Sequence, residues 1–140
     1  MKQIVTYLNF DGNCRQAMEF YRNCLGGELF IMAFSEVPGA LPPEAKDAQD
    51  RIMHATVSKG GQRIMASDTL PGMAFRAGNN FSVSIHCESV DEIEGLFGAF
   101  GEKAKIVMPL QETFWAARYG MLTDQFGINW MFNLERPQQA

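Results

Sequence analysis

The sequence predicts an α+β fold built from two β-α-β-β-β halves, and three observations carry that reading. Two amphipathic stretches of helical spacing, at 14–25 and 90–100, are each followed by three strand-like segments. Helices separated by three strands do not suit a doubly wound parallel sheet, in which strand and helix alternate one for one. The halves also overlay on each other. A shift of 75 positions sets Met18 on Ile93, Tyr21 on Leu96, Leu25 on Phe100, Gly26 on Gly101 and Ile31 on Ile106. Later in each half the best shift is 66, with Gly61 on Gly127 and Met65 on Met131, and the difference matches the extra length of one loop in the first half.

Each element has a local reason. Residues 3–10 are β-branched and aromatic and run into Asp11-Gly12-Asn13, a strand followed by a turn and helix cap. In 14–25 the apolar positions Ala17, Met18, Tyr21 and Leu25 keep helical spacing, and Gly26-Gly27 stops the helix. Residues 28–35 form the next strand. The stretch 36–50 holds three of the six prolines and reads as a surface loop with a short helical turn. Segments 52–58 and 62–67 flank Lys59-Gly60-Gly61 as a hairpin. After a second loop at 68–80, residues 81–88 are a strand. Residues 90–100 are a helix with Ile93, Leu96, Phe97 and Phe100 inward and Gly101 as its stop. Strands at 105–110, 117–123 and 128–134 complete the second half, so the modules run over about 1–68 and 79–136 of one domain.

Composition narrows the function classes. With 140 residues, 46% of them hydrophobic and 20% charged, the chain can bury a sizeable core. Twelve basic against sixteen acidic residues leave a net charge of −4 with no basic cluster, which argues against nucleic acid as a partner. The N-terminus lacks the apolar run and cleavage site of a signal peptide, and the longest apolar run, 29–34, is too short to cross a membrane. A soluble cytoplasmic protein is the expectation. Cys14, Cys24 and Cys87 form no CxxC pair and read as reduced, partly buried thiols. Eleven Phe and nine Met are an unusual apolar inventory, suited to a soft core or to an apolar binding surface. There is no glycine-rich phosphate loop, no HExxH and no nucleophile elbow.

A doubled β-α-β-β-β unit resembles the vicinal oxygen chelate superfamily of glyoxalase I, bleomycin-resistance proteins and extradiol dioxygenases. Four segments look most like its PhnB-like family: Tyr7 to Asn13 with Ala17, Glu19, Phe20 and Tyr21; Ile52 to Ala55; Ile64 to Asp68; and Phe114-Trp115 through Arg118-Tyr119-Gly120, Thr123-Asp124, Phe126-Gly127 and Trp130. Departures from the family pattern fall at Ala116, Ala117 and Gln125, where Gly, Asp and Pro are more usual. The resemblance implies a cupped mixed sheet around one cavity, helices outside, and commonly a homodimer. Some members carry a label of ubiquinone-pathway methyl transfer, which the missing glycine-rich turn after the first strand does not support. In metal-dependent relatives four ligands line the cup, and those positions fall here on Val5, His54, Ser82 and Met131. Only His54 is a good ligand among them, so the usual four-ligand metal site is expected to be missing, and no cofactor is expected other than a divalent metal at His54 in a rearranged site.

The candidate catalytic residue is therefore His54, an imidazole at a cup-facing strand position that can act as general acid, base or hydrogen-bond donor. Tyr7 and Asn9 alternate with Val5, as Asn129 and Asn133 alternate with Met131, and share those faces. Tyr7, Asn9, Ser82, Met131, Trp115 and Arg118 are the candidate substrate-binding residues, the last two beside Phe114 and Tyr119 at a cavity mouth. His86 shares parity with Ser82 and belongs at the rim, Trp130 packs beneath a helix, and Asp68 caps the turn that follows it. Three readings stay open: a metal-independent enzyme acting on a small organic substrate, a protein that sequesters such a ligand, and a rearranged metal site of His54 with His86, Asp68 or Glu112.

Overall fold

A computed structural model of the chain describes residues 1–137. It divides into two compact units, Met1–Arg76 and a second from Ala77 onward. The first contains β1 (Thr6–Phe10), α1 (Cys14–Leu25), β2 (Glu28–Ala33), β3 (Ile52–Lys59) and β4 (Gln62–Asp68). The second contains β5 (Val83–Cys87), α2 (Val90–Phe100), β6 (Lys105–Gln111), β7 (Ala116–Thr123) and β8 (Asn129–Glu135). Their sheets have equivalent orders, β1-β4-β3-β2 and β5-β8-β7-β6, with one parallel pairing (β1 on β4, β5 on β8) and the rest antiparallel. The α+β class and the internal repeat thus hold at the level of topology.

In the first unit α1 buries Cys14, Ala17, Met18 and Tyr21 against the sheet, over Leu8, Phe10, Ala55, Val57, Ile64 and Ala66. Alternation then leaves the other face of the sheet to Tyr7, Asn9, Phe30, His54, Thr56, Met65 and Ser67. Gly26 and Gly27 end the helix at positive φ, as expected. A side chain on Gly27 would meet the Ser58 carbonyl on β3, so the turn also needs glycine for close approach.

In the second unit Ile93 and Phe100 of α2 are fully buried. Phe97 meets Phe132 edge-on at 5.3 Å, and Phe100 lies 4.5 Å from Trp130 between ring centres, which places Trp130 beneath the helix as its parity requires. Gly120 lets this layer close: a Cβ there would sit 2.8 Å from Phe97 and 2.9 Å from Leu110. The opposite face carries Ser84 and His86 of β5, Asn129, Met131 and Asn133 of β8, and Tyr119, Met121 and Thr123 of β7.

Strand ends differ from expectation where pairing stops. β1 begins at Thr6, where its ladder with β4 begins, so Val5 lies just outside the strand; likewise Ser82 precedes β5. β2 ends at Ala33 because the register shifts there and Phe34–Glu36 turns as a 3-10 helix, with the Glu36 carboxylate accepting the Ala33 N–H at 2.7 Å. The proline-rich loop holds the expected helical turn, Pro43–Ala48.

The cap assignments are corrected by the structure. Asn13 occupies the N-cap of α1 but makes no side-chain cap bond. The cap comes instead from Asp68, at the end of β4, whose Oδ1 accepts the Gly12 and Cys14 N–H groups at 2.8 and 3.1 Å. Its Oδ2 accepts the Ile52 N–H at 2.8 Å. Asp68 therefore ties helix, hairpin start and β4 together rather than capping its own turn. α2 is capped locally, with Ser89 accepting the Glu92 N–H and Glu92 accepting the Glu88 N–H.

Candidate functional site

His54 stands in the middle of the open face of the first sheet. Its Nε2 is 3.1 Å from Thr56 Oγ1, two residues along β3, and its Nδ1 is 3.5 Å from Tyr7 Oη on β1. With Nε2–H donating to Thr56, Nδ1 accepts from Tyr7, and the other tautomer reverses both. Two aromatic rings flank the imidazole, Tyr7 at 6.0 Å and Phe30 at 6.4 Å between centres. Phe30 is 53% exposed and Tyr7 44%, so both rings lie open beside the imidazole rather than in the core. Met65, facing Tyr7 and Thr56 in register, completes a half-buried apolar floor.

Of the expected residues, His54 and Tyr7 come together here, and Asn9 lies on the same face opposite Ser67. Thr56 and Phe30 were not anticipated, although the alternation that exposes His54 puts Thr56 beside it. Met131 lies on the open face of the second sheet, between Ser84 and Met121. Trp115 packs edge-on against Tyr119 at 5.5 Å and Phe114 at 4.8 Å. Arg118 does not join them: it pairs with Leu134, on the α2 side of the sheet, and its guanidinium donates to the adjacent Ala117 carbonyl at 2.8 Å.

Two buried carboxylates serve structure. Asp68 is 4% exposed, and both its oxygens are occupied by backbone N–H groups. Asp124 is equally buried, and its carboxylate accepts the Phe126 and Ile128 N–H groups and the Trp130 indole N–H at 2.8, 3.0 and 2.8 Å. Cys14, sealed under α1, has its thiol pushed up to about 12 by burial and then by the Asp68 charge; burial and Glu92 push Cys87 up to about 11. Neither is a nucleophile near neutral pH.

The four positions that the resemblance matches to metal ligands carry side chains of different donor character. Val5 offers no donor, Met131 a thioether, Ser82 a neutral hydroxyl and His54 an imidazole. Asp68 is committed as described, and Glu112 pairs with Arg136 at 2.8 Å. Among the described residues no three His, Cys, Asp or Glu side chains gather in a metal-holding group.

A family model described as 3-demethylubiquinone-9 3-methyltransferase matches residues 2–132. The chain belongs to this family. The chain is 36% identical over 141 residues to protein YjdN of Escherichia coli, covering 94% of this chain and 95% of that one. The crystal structure of protein PA1353 from Pseudomonas aeruginosa superposes with a TM-score of 0.86 at 41% identity, over 98% of this chain and 100% of the other. A PhnB protein from Bacillus cereus, described as a putative 3-demethylubiquinone-9 3-methyltransferase, gives a TM-score of 0.76 at 27% identity, over 95% of this chain and 99% of the other. At the level of fold alone, this PhnB-like chain matches a glyoxylase/bleomycin resistance protein/dioxygenase domain from Frankia, with a TM-score of 0.65 at 16% identity over 99% and 96%.

Proposed function

We propose that this PhnB-like chain binds a small organic molecule on the open face of its first sheet, with His54 as the hydrogen-bonding group and no four-ligand metal site. The observation that carries this is the setting of His54: an imidazole bonded to Thr56, facing Tyr7, and flanked by the exposed Phe30 ring. A few placed polar groups on an aromatic and thioether surface are the usual means of orienting an organic ligand. A thermal-shift screen of small aromatic and carbonyl compounds, followed by calorimetric titration, tests it. Hits are expected to bind the His54→Ala protein at least tenfold more weakly, equivalent to about 1.4 kcal/mol. A screen without hits, or hits that ignore the substitution, refutes it.

The Thr56–His54–Tyr7 chain favours a second reading, proton transfer to or from the bound molecule, because fixing the ring's orientation and tautomer is what an acid–base histidine needs. Turnover of a hit by the native protein, lost by about 10² or more in His54→Ala, would support it. Methyl transfer, the activity named for the family, is not what we propose. A nucleotide-type cofactor commonly uses a glycine-rich turn and free helix N-terminal amides, and here the Asp68 carboxylate already occupies those of Gly12 and Cys14. We further propose a homodimer, which light scattering of the purified protein tests.

A further inference from the structure

Arg63 lies on the same face of the first sheet as His54. It stands two positions before Met65 on β4 and opposite Ser58, itself two positions after Thr56 on β3. The row of Arg63 and Ser58 is therefore four strand positions from His54, roughly 13 Å along the sheet, with Thr56 and Met65 between. No carboxylate among the described residues pairs with Arg63. Glu28 shares its row but is two strands away, roughly 10 Å between backbones. The guanidinium meets a neutral amide instead. With its oxygen turned toward Arg63, the Gln3 side chain accepts from Nε at 2.8 Å and also from Nη2. One amide oxygen thus sits in the fork that a guanidinium offers to a carboxylate.

Gln3 does little there for the fold. It belongs to the segment ahead of β1, which joins no strand before Thr6, and the neighbouring Ile4 is 89% exposed. A charge-assisted bond is about twice as strong as a neutral one, so a carboxylate outcompetes Gln3 at this fork. We propose that Arg63 sets the charge class of the ligand of this face: it takes the carboxylate of an organic anion, which displaces the Gln3 amide, while the rest of the molecule extends over Thr56 and Met65 toward His54. The proposal rests on the reading of the His54 face as a ligand surface, and adds the charge of that ligand and the residue that reads it.

The test titrates the full chain with 4-hydroxycinnamate and with 4-hydroxycinnamamide, the same molecule without the charge, by 1H–15N NMR. The carboxylate is expected to shift the Arg63 Nε–H and Gln3 side-chain amide signals and to bind at least tenfold more tightly than the amide. Arg63 is exposed, so substituting it leaves the core intact. Arg63→Gln should erase the preference, and Arg63→Lys, which keeps the charge without the fork, should retain part of it. Gln3→Ala should tighten the carboxylate several-fold while leaving the amide and the urea midpoint unchanged, a pattern that a merely structural contact would not give. Equal affinity for the two compounds, absence of shifts up to the solubility limit of 4-hydroxycinnamate, or a preference that survives Arg63→Gln would overturn the proposal. His54→Ala is expected to weaken both compounds alike. A charge preference with no effect of His54→Ala would overturn the earlier reading and leave Arg63 as the anion site; an effect of His54→Ala without a charge preference would do the reverse.

Discussion

Removing the Asp68 carboxylate is expected to loosen the first unit more than any ordinary surface change, and its effect can be worked from three bonds. In Asp68→Asn the remaining oxygen can keep Gly12 and Cys14, but the new amide nitrogen faces the Ile52 N–H, donor against donor. Turning the amide over restores that bond and breaks the other two. One charge-assisted bond lost at a buried donor costs about 2–3 kcal/mol. Asp68→Ala abandons all three, two of them to buried N–H groups, for about 3–6 kcal/mol, a large share of the roughly 5–15 kcal/mol that hold a domain together. Urea unfolding followed by far-UV circular dichroism reads the change, and at a slope of about 1–3 kcal/mol/M the Ala variant's midpoint falls by about 1 M or more. The exposed Asp11–Arg51 pair is the control: Asp11→Asn should move stability by less than about 1 kcal/mol. Asp68→Asn should also let the Cys14 thiol ionise at lower pH, because one of the two causes that raise it is gone. If both Asp68 variants unfold within about 0.5 kcal/mol of the native chain, the capping argument is wrong.

The remaining expectations are simpler. Near pH 8 only Cys24 should react readily with a disulfide reagent in the native protein, since Cys14 and Cys87 are buried and held as thiols; three equally fast thiols would contradict the packing. The same shift predicts alkaline weakening. Above about pH 9 the unfolded chain releases the Cys14 proton while the folded chain keeps it to about 12, so stability falls across that window by up to about 1.4 kcal/mol per pH unit. Cys14→Ala should lessen the pH dependence of the urea midpoint between pH 9 and 10.5, leaving the part owed to Cys87, whose thiol is held up to about 11, and an unchanged slope would assign it elsewhere. Gly120→Ala should cost about 1–3 kcal/mol by forcing Phe97 and Leu110 apart, measurable as a lower Tm.

How far the sequence could be read depended on whether the deciding contacts were local. The bounds of α1 and α2 were legible because helical spacing and a glycine stop lie within one segment. The ends of β1 and β2 were not, because a strand lasts only as long as its neighbour pairs with it, and the neighbours lie far along the chain. His54 and Tyr7 could be placed on one face by alternation. Their approach, and the Phe30 ring beside them, needed the order β1-β4-β3-β2. Arg118 shows the same limit from the other side: next to Tyr119 in sequence, it belongs to the opposite face. Asp68 looked like a turn residue because its nearest neighbours are Thr69 to Gly72, while its partners Gly12 and Cys14 are 56 and 54 positions away.

That distance also separates the two units in how they can begin to fold. The N-terminus of α2 is completed by Ser89 and Glu92 within a few residues, so its first turn can form as soon as the segment collapses. The start of α1 waits for β4, after a loop of more than fifty residues has closed. Two units of equivalent topology therefore place their helix starts on different sides of the folding barrier: Ser89→Ala should slow folding, whereas Asp68→Asn should chiefly speed unfolding.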